Sequence, residues 1–193
     1  MSVRCCTQPS PLHLEGIEVR LRQTCCLNES VRLRLNLGLG RWTLTLMSPG
    51  AWVGQWPTAW LGGLGAPWNT LQLGGSLRLL SPGIAVESVA GRWRVDGQAE
   101  LEFVNASSRL STLESLGDYR LVLSGDAANA GQPQLRLSTQ GGALQLSGSG
   151  NLGPGGMRFR GEARAGDGAE QALANRLNII GRRDGARSLI SVG

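Results

Sequence analysis

The side chains in this sequence best suited to chemistry are four cysteines, one histidine and a handful of carboxylates. The cysteines form two adjacent pairs, Cys5-Cys6 and Cys25-Cys26. No Cys-x-x-Cys spacing occurs, and His13 is the single histidine, so a zinc finger or a multi-histidine metal site is not spelled. Two readings of the cysteines stay open. They are disulfide partners in an oxidising compartment, or four reduced, partly buried thiols in the cytosol. Four cysteines allow three connectivities. One uses two vicinal bridges with a strained ring; the other two each staple the first segment to the second.

All 19 basic residues are arginine, which removes Schiff-base chemistry, a P-loop lysine and a lysine base. Glu100 and Glu102 project from one face of a strand at i and i+2, a paired-carboxylate spacing. Leu101 and Phe103 take the opposite face, so the pair reads as part of a solvated face. Gly148-Ser149-Gly150-Asn151-Leu152-Gly153 matches the dinucleotide fingerprint by letter. The mechanism needs a helix N-terminus immediately after it, whereas a Pro-Gly-Gly turn and a strand pattern follow. No Ser, Cys, Lys or His constellation supplies a nucleophile with its base. The expectation is a non-enzyme with no catalytic, cofactor-binding or metal-binding residues.

Five tryptophans fall between Trp42 and Trp68, and Trp52, Trp56, Trp60 and Trp68 are the densest chemical signal in the chain. A tryptophan has a large apolar body and one N–H donor, which suits a core, an interface or a membrane boundary. These four are the candidates for a partner or hydrophobic contact. Trp56, Trp60 and Trp68 are expected to pack a helical turn and loop on a sheet, leaving at least one partly exposed. The net charge of +5 permits an anionic partner. The arginines are scattered singly instead of forming a stripe, so nucleic acid is not expected. Arg182, Arg183 and Arg187 are the one dense group, and Asp184 among them points to a solvated turn.

The elements that must position these residues are strands. Glycine stands at 29 of 193 residues, which implies many turns, and 41% apolar content argues for a folded core. Period-2 alternation runs through 12–21, 31–39, 41–47, 71–79, 84–89, 91–95, 99–103, 119–123, 134–138, 143–147 and 157–163. With 188–192 this gives about eleven or twelve short strands. The links are short and Gly- or Pro-rich, such as Ser48-Pro49-Gly50, Ser81-Pro82-Gly83 and Gln140-Gly141-Gly142, and they imply hairpins. The fold class is therefore mainly β, a curved antiparallel meander with short helical turns and one C-terminal helix. Gly40-Arg41-Trp42 resembles Gly91-Arg92-Trp93, each read as a strand start with the aromatic buried and Arg wet.

Three segments break the alternation. Trp56–Leu64 reads as a helical turn with Pro57 in its first turn. Ser111-Thr112-Leu113-Glu114 spells a capping box within 107–116. Residues 167–181 spell a helix, with Asp167 as N-cap and Leu173, Leu177 and Ile180 on one face. That helix is too short to stand alone, so its stripe must dock, the plain reading being a plug for one end of the sheet. No signal peptide is spelled. Residues 42–77 carry no charge, but Pro49, Pro57 and Pro67 prevent a spanning helix.

Several strings resemble the type II secretion system protein N family (general secretion pathway protein N). They are Trp56-Pro57-Thr58-Ala59-Trp60-Leu61-Gly62-Gly63-Leu64-Gly65-Ala66-Pro67-Trp68-Asn69-Thr70-Leu71, then the run from Ser107 to Tyr119, then Leu173-Ala174-Asn175-Arg176-Leu177-Asn178-Ile179-Ile180-Gly181-Arg182-Arg183. The resemblance covers about residues 25–193. It implies a single periplasmic β-rich domain over 1–193 of an inner-membrane-anchored protein, with the anchor outside this chain. The implied role is a non-enzymatic accessory subunit that contacts other secretion components, in the inner-membrane platform or the outer-membrane secretin. The family also looks akin to the AsmA-like group of curved, half-barrel-like sheets, whose apolar grooves take lipids, so a lipid- or hydrophobe-binding module is the alternative. A periplasmic setting implies two disulfides joining Cys5-Cys6 to Cys25-Cys26, each loop of about 20 residues contributing on the order of 3 kcal/mol.

Overall fold

The computed structural model describes residues 17–19, 32–48, 50–64, 72–89, 92–109, 111, 113–126, 132–153 and 156–193. The chain order is β1 (Ile17–Val19), β2 (Arg32–Gly38), β3 (Arg41–Met47), β4 (Trp52–Pro57), a 3-10 helix (Thr58–Leu64), β5 (Leu73–Val89), β6 (Arg92–Ser108), β7 (Gly117–Gly125), β8 (Gln134–Gly141), β9 (Leu144–Gly153), β10 (Gly156–Ala165), α1 (Glu170–Ile180), β11 (Arg182–Asp184) and β12 (Arg187–Val192). All the pairings are antiparallel, in one 12-stranded sheet ordered β1-β2-β3-β5-β6-β7-β8-β9-β10-β12-β11, with β4 beside β5 off this path. The path starts on β1 and ends on β11, so the sheet stays open.

The alternation puts one kind of side chain on each face. Cross-strand partners share a face, and the register lines up Leu35, Leu44, Val86 and Val95 in one row. Leu79, Leu101, Leu121 and Leu137 form another. The opposite face carries Arg34, Glu87, Arg94, Glu102, Arg120 and Arg160. The apolar face is concave. In a flat sheet β9 would lie three strands, about 14 Å, from β6. Leu152 of β9 nevertheless packs against the cluster of Leu46, Val53, Ile84 and Val95. Only a curled sheet brings them together.

A second cluster fills the other end of the concave face. Leu173 and Leu177 of α1 are fully buried against Leu116, Leu144 and Ala163, with Ile180 and Ile190 beside them. The predicted stripe docks as a plug over β9, β10 and β12. The N-cap is Ala169 and not Asp167, which lies in the preceding turn. Ala169 is buried in the cluster, and packing there outweighs a side-chain cap of about 1 kcal/mol. Ser188 Oγ donates to Leu177 O at 2.5 Å, satisfying a carbonyl of the helix's last turn. β12 pairs with β10 as an added strand, but β11, not β12, forms the rim.

Two expected links are not turns. Ser81-Pro82-Gly83 lies inside the 17-residue β5, and residues 92–108 are likewise one strand. The Pro-Gly spelling marks a bulge, where β5 changes neighbours from β4 (Trp52 opposite Leu80) to β3 (Met47 opposite Gly83). The buried Ser81 holds it: its N–H donates to Ala51 O, and its Oγ donates to Gln98 O at 2.6 Å. The capping-box spelling at 111–114 shows no helix among its described residues either. Ser107 and Ser108 belong to β6, and Ser111 Oγ accepts from the Leu113 N–H at 3.1 Å, closing a local turn.

Candidate functional site

β4 lies along β5 and has no other strand beside it among the described residues. Its tryptophans diverge. Trp56, opposite Leu77, packs against the core cluster around Val53. Trp52, at the start of the strand, is 41% exposed, and Trp60 in the 3-10 helix is 59% exposed. The 3-10 helix follows Pro57, which ends β4 instead of opening the helix as expected. Thr58 anchors the junction: it is buried, and its Oγ1 donates to Gly75 O at 3.1 Å. Arg78 Nε donates to Gln55 Oε1 at 3.3 Å across the same pair of strands. The result is one aromatic anchored inward and two presented outward beside the free edge of a strand. Such an edge offers backbone hydrogen bonds for strand addition, and exposed tryptophan offers apolar area to a partner. Trp68 lies outside the described residues, as do Cys5, Cys6, Cys25, Cys26 and His13.

The other chemical candidates have structural explanations. Glu100 and Glu102 grip one guanidinium: Arg120 Nε lies 2.7 Å from Glu100 Oε1, and Arg120 Nη2 lies 3.2 Å from Glu102 Oε1. One arginine thus bridges both carboxylates across the β6–β7 pair, which accounts for their spacing as a cross-strand clamp. The dinucleotide-like spelling is the body of β9. Its glycines make room for a ring. A Cβ on Gly148 would sit 2.4 Å from Phe159 Cζ and 2.8 Å from Arg160 O. Phe159 of β10 lies buried in that space. Among the described residues no group of three or more His, Cys, Asp or Glu is placed to hold a metal, and no helix is long and apolar enough to cross a membrane. Arg182 and Arg183 are exposed in β11. Arg187 is held above its ordinary pKa by Asp184, at 3.0 Å, and by Glu162, at 3.4 Å.

Two features were not anticipated from sequence. Trp42 and Trp93 meet edge to face, with ring centroids 5.2 Å apart and planes at 84°. The repeated Gly-Arg-Trp carried that signal, since it starts two strands that flank β5. The other is Tyr119, which is buried and reaches over β8 to donate its hydroxyl to Leu144 O at 2.8 Å. Beneath it Thr139 replaces a rung of the ladder: its Oγ1 donates to Leu146 O and accepts from Leu146 N. Burial, reinforced by Asp118, pushes the Tyr119 hydroxyl well above the ordinary phenol range. The folded protein therefore keeps a proton that the unfolded chain releases near pH 10. The stability that Tyr119 contributes is complete below that pH and is lost as pH rises above it. Tyr119 is the only tyrosine, so an alkaline titration followed at the tyrosinate band reads it alone. We expect no tyrosinate until the protein unfolds. Tyr119→Phe should cost about 1 kcal/mol near neutral pH and remove this part of the alkaline slope.

No curated protein and no solved structure matches this chain. The family model described as type II secretion system (T2SS), protein N, matches residues 2–189, and so takes in residues 2–24, which lie before the stretch covered by the resembling strings. With that match over nearly its whole length, and an open, curled antiparallel sheet as its fold, the chain belongs to the type II secretion system protein N family.

Proposed function

We propose that this chain is a non-enzymatic accessory subunit of the type II secretion apparatus that works in the periplasm by contacting other subunits. The observation that carries the reading is the free edge of β4 with Trp52 and Trp60 turned outward beside it. A platform or secretin subunit would add a strand to β4 and cover the two rings. The partner side of this contact needs no pocket and no catalytic group. A photo-crosslinking side chain in place of Trp60 should capture a secretion subunit in cells that assemble the apparatus. The same group at exposed Gln171 on α1 should capture none. Trp60→Ala should leave folding unchanged and weaken the association about ten-fold or more, the scale of a hot-spot aromatic. Equal crosslinking from both positions would remove β4 as the contact.

A second reading rests on the middle of the concave face. Leu101, Phe103, Leu121, Leu135 and Leu137 lie on that face between the two clusters and are only half-buried. An acyl chain laid along this strip would complete their burial. Mass spectrometry of the protein extracted from its native envelope tests this: co-purifying acyl chains support it, and an empty extract disfavours it.

A further inference from the structure

The end of the sheet where β2 meets β3 and β5 meets β6 has an unusual rim. The last inward-facing positions of the four strands fall in one row: Leu37 opposite Trp42, Trp42 opposite Ser88, Ser88 opposite Trp93. Ser88 is small and buried, and the two rings close over it edge to face. The next positions, on the outward face, run Arg41, Val89, Arg92. The rim is thus aromatic and apolar on its inner side and basic on its outer side. Its leucines are not covered, and its tryptophans are covered in part. Leu39 at the tip of the β2–β3 hairpin is 106% exposed, Leu37 is 67% exposed and Trp93 is 38% exposed. Arg41 pairs with Glu87, while Arg92, opposite Val89, makes no ion pair among the described residues.

We infer that this rim seats in the headgroup layer of an anionic lipid bilayer. Leucines that protrude from hairpin ends gain from burial in any apolar medium, and a bilayer accepts them without a complementary pocket. Tryptophan at the boundary keeps its ring in the apolar layer and its N–H among the headgroups. Arg92, just outside that row with Arg41 in line beyond Val89, lies at the level of lipid phosphates, which supplies the charge complementarity. A stable protein interface needs about 800 Å² per partner. Two leucines and two tryptophans already more than half covered fall short of that. The inference does not depend on the β4 contact, which lies farther along β5.

The test is sedimentation of the 193-residue chain with vesicles of mixed phosphatidylglycerol and phosphatidylcholine, against phosphatidylcholine alone. Binding is expected to the anionic vesicles and to weaken as salt is raised. Leu39→Ser removes a side chain with almost no intramolecular contact, so the fold, checked by circular dichroism, should persist while binding drops about ten-fold. Arg92→Gln should cost about five-fold. No binding to anionic vesicles would overturn the inference and return the rim to the class of small protein contacts. Binding that is unchanged by Leu39→Ser and by Arg92→Gln would overturn it as well, since adsorption would then occur elsewhere.

Discussion

Leu173→Ala will lower the stability of this protein by about 3–5 kcal/mol, measured as the shift of its urea midpoint. Leu173 is 0% exposed, and it joins α1 to Leu144 of β9 and Ala163 of β10. Truncation leaves a void between a helix and a sheet, and neither can close it: the ladder fixes β9 and β10, while the Ser188 hydrogen bond fixes the helix end. Against a total stability of about 5–15 kcal/mol, such a loss is a large share. Leu173→Met should cost less than about 1.5 kcal/mol, because volume is kept. Gln171→Ala, on the exposed side of the helix, should cost almost nothing. The same packing predicts that deleting residues 167–193 will cause aggregation. The deletion strips α1, β11 and β12, bares Leu144 and Ala163, and leaves β10 as an uncovered edge. A truncated chain that stays monomeric and equally stable would make α1 an appendage.

The second large effect is expected at a glycine. Gly142 turns the chain from β8 into β9 with φ +118°, a backbone conformation that side chains rarely adopt. A Cβ there would lie 2.1 Å from Gly117 Cα and 2.6 Å from Leu116 O. Both obstacles are backbone, and neither can swing aside. The crossing is held from both sides, since Leu144 N–H donates to Leu116 O at 2.8 Å and Gly166 N–H donates to Ala143 O at 2.7 Å. Gly142→Ala should therefore cost roughly 4 kcal/mol, combining backbone strain of about 1–3 kcal/mol with overpacking of similar size. Gly40→Ala is the control. It also has positive φ, +68°, but its Cβ would meet nothing within 4 Å. Its cost should be limited to about 1 kcal/mol of left-handed backbone. Equal effects at the two positions would mean that the crossing relaxes more easily than its hydrogen bonds suggest.

Much of the fold was legible in the residues because alternation with period two is a direct record of a sheet with one wet face. The rows Leu33-Leu35, Trp42-Leu44-Leu46 and Leu121-Leu123 declare both their strands and their inner face. Leu173 and Leu177 declare a helix that must dock. The family resemblance came from long strings such as 56–71, which a single sequence carries intact. What the residues left open was decided by partners distant in the chain. Ser81-Pro82-Gly83 spells a turn and a bulge equally well; it is a bulge because Ala51 and Gln98 bond Ser81 on either side. Asp167 is a sound N-cap by type, yet the helix begins at Glu170 because Ala169 gains more from the core. Gly148 and Gly150 spell a phosphate loop until Phe159 comes across from β10. The tryptophans were visible as a cluster, but which of them turned outward was not. Trp56 and Trp60 are separated by one turn of chain, and only the direction of β4 along β5 sends the first into the core and the second to the surface. Periodicity is local and survives in one dimension. Curvature, bulges and the choice of exposed ring depend on contacts between strands far apart in sequence, and these exist only once the sheet has curled.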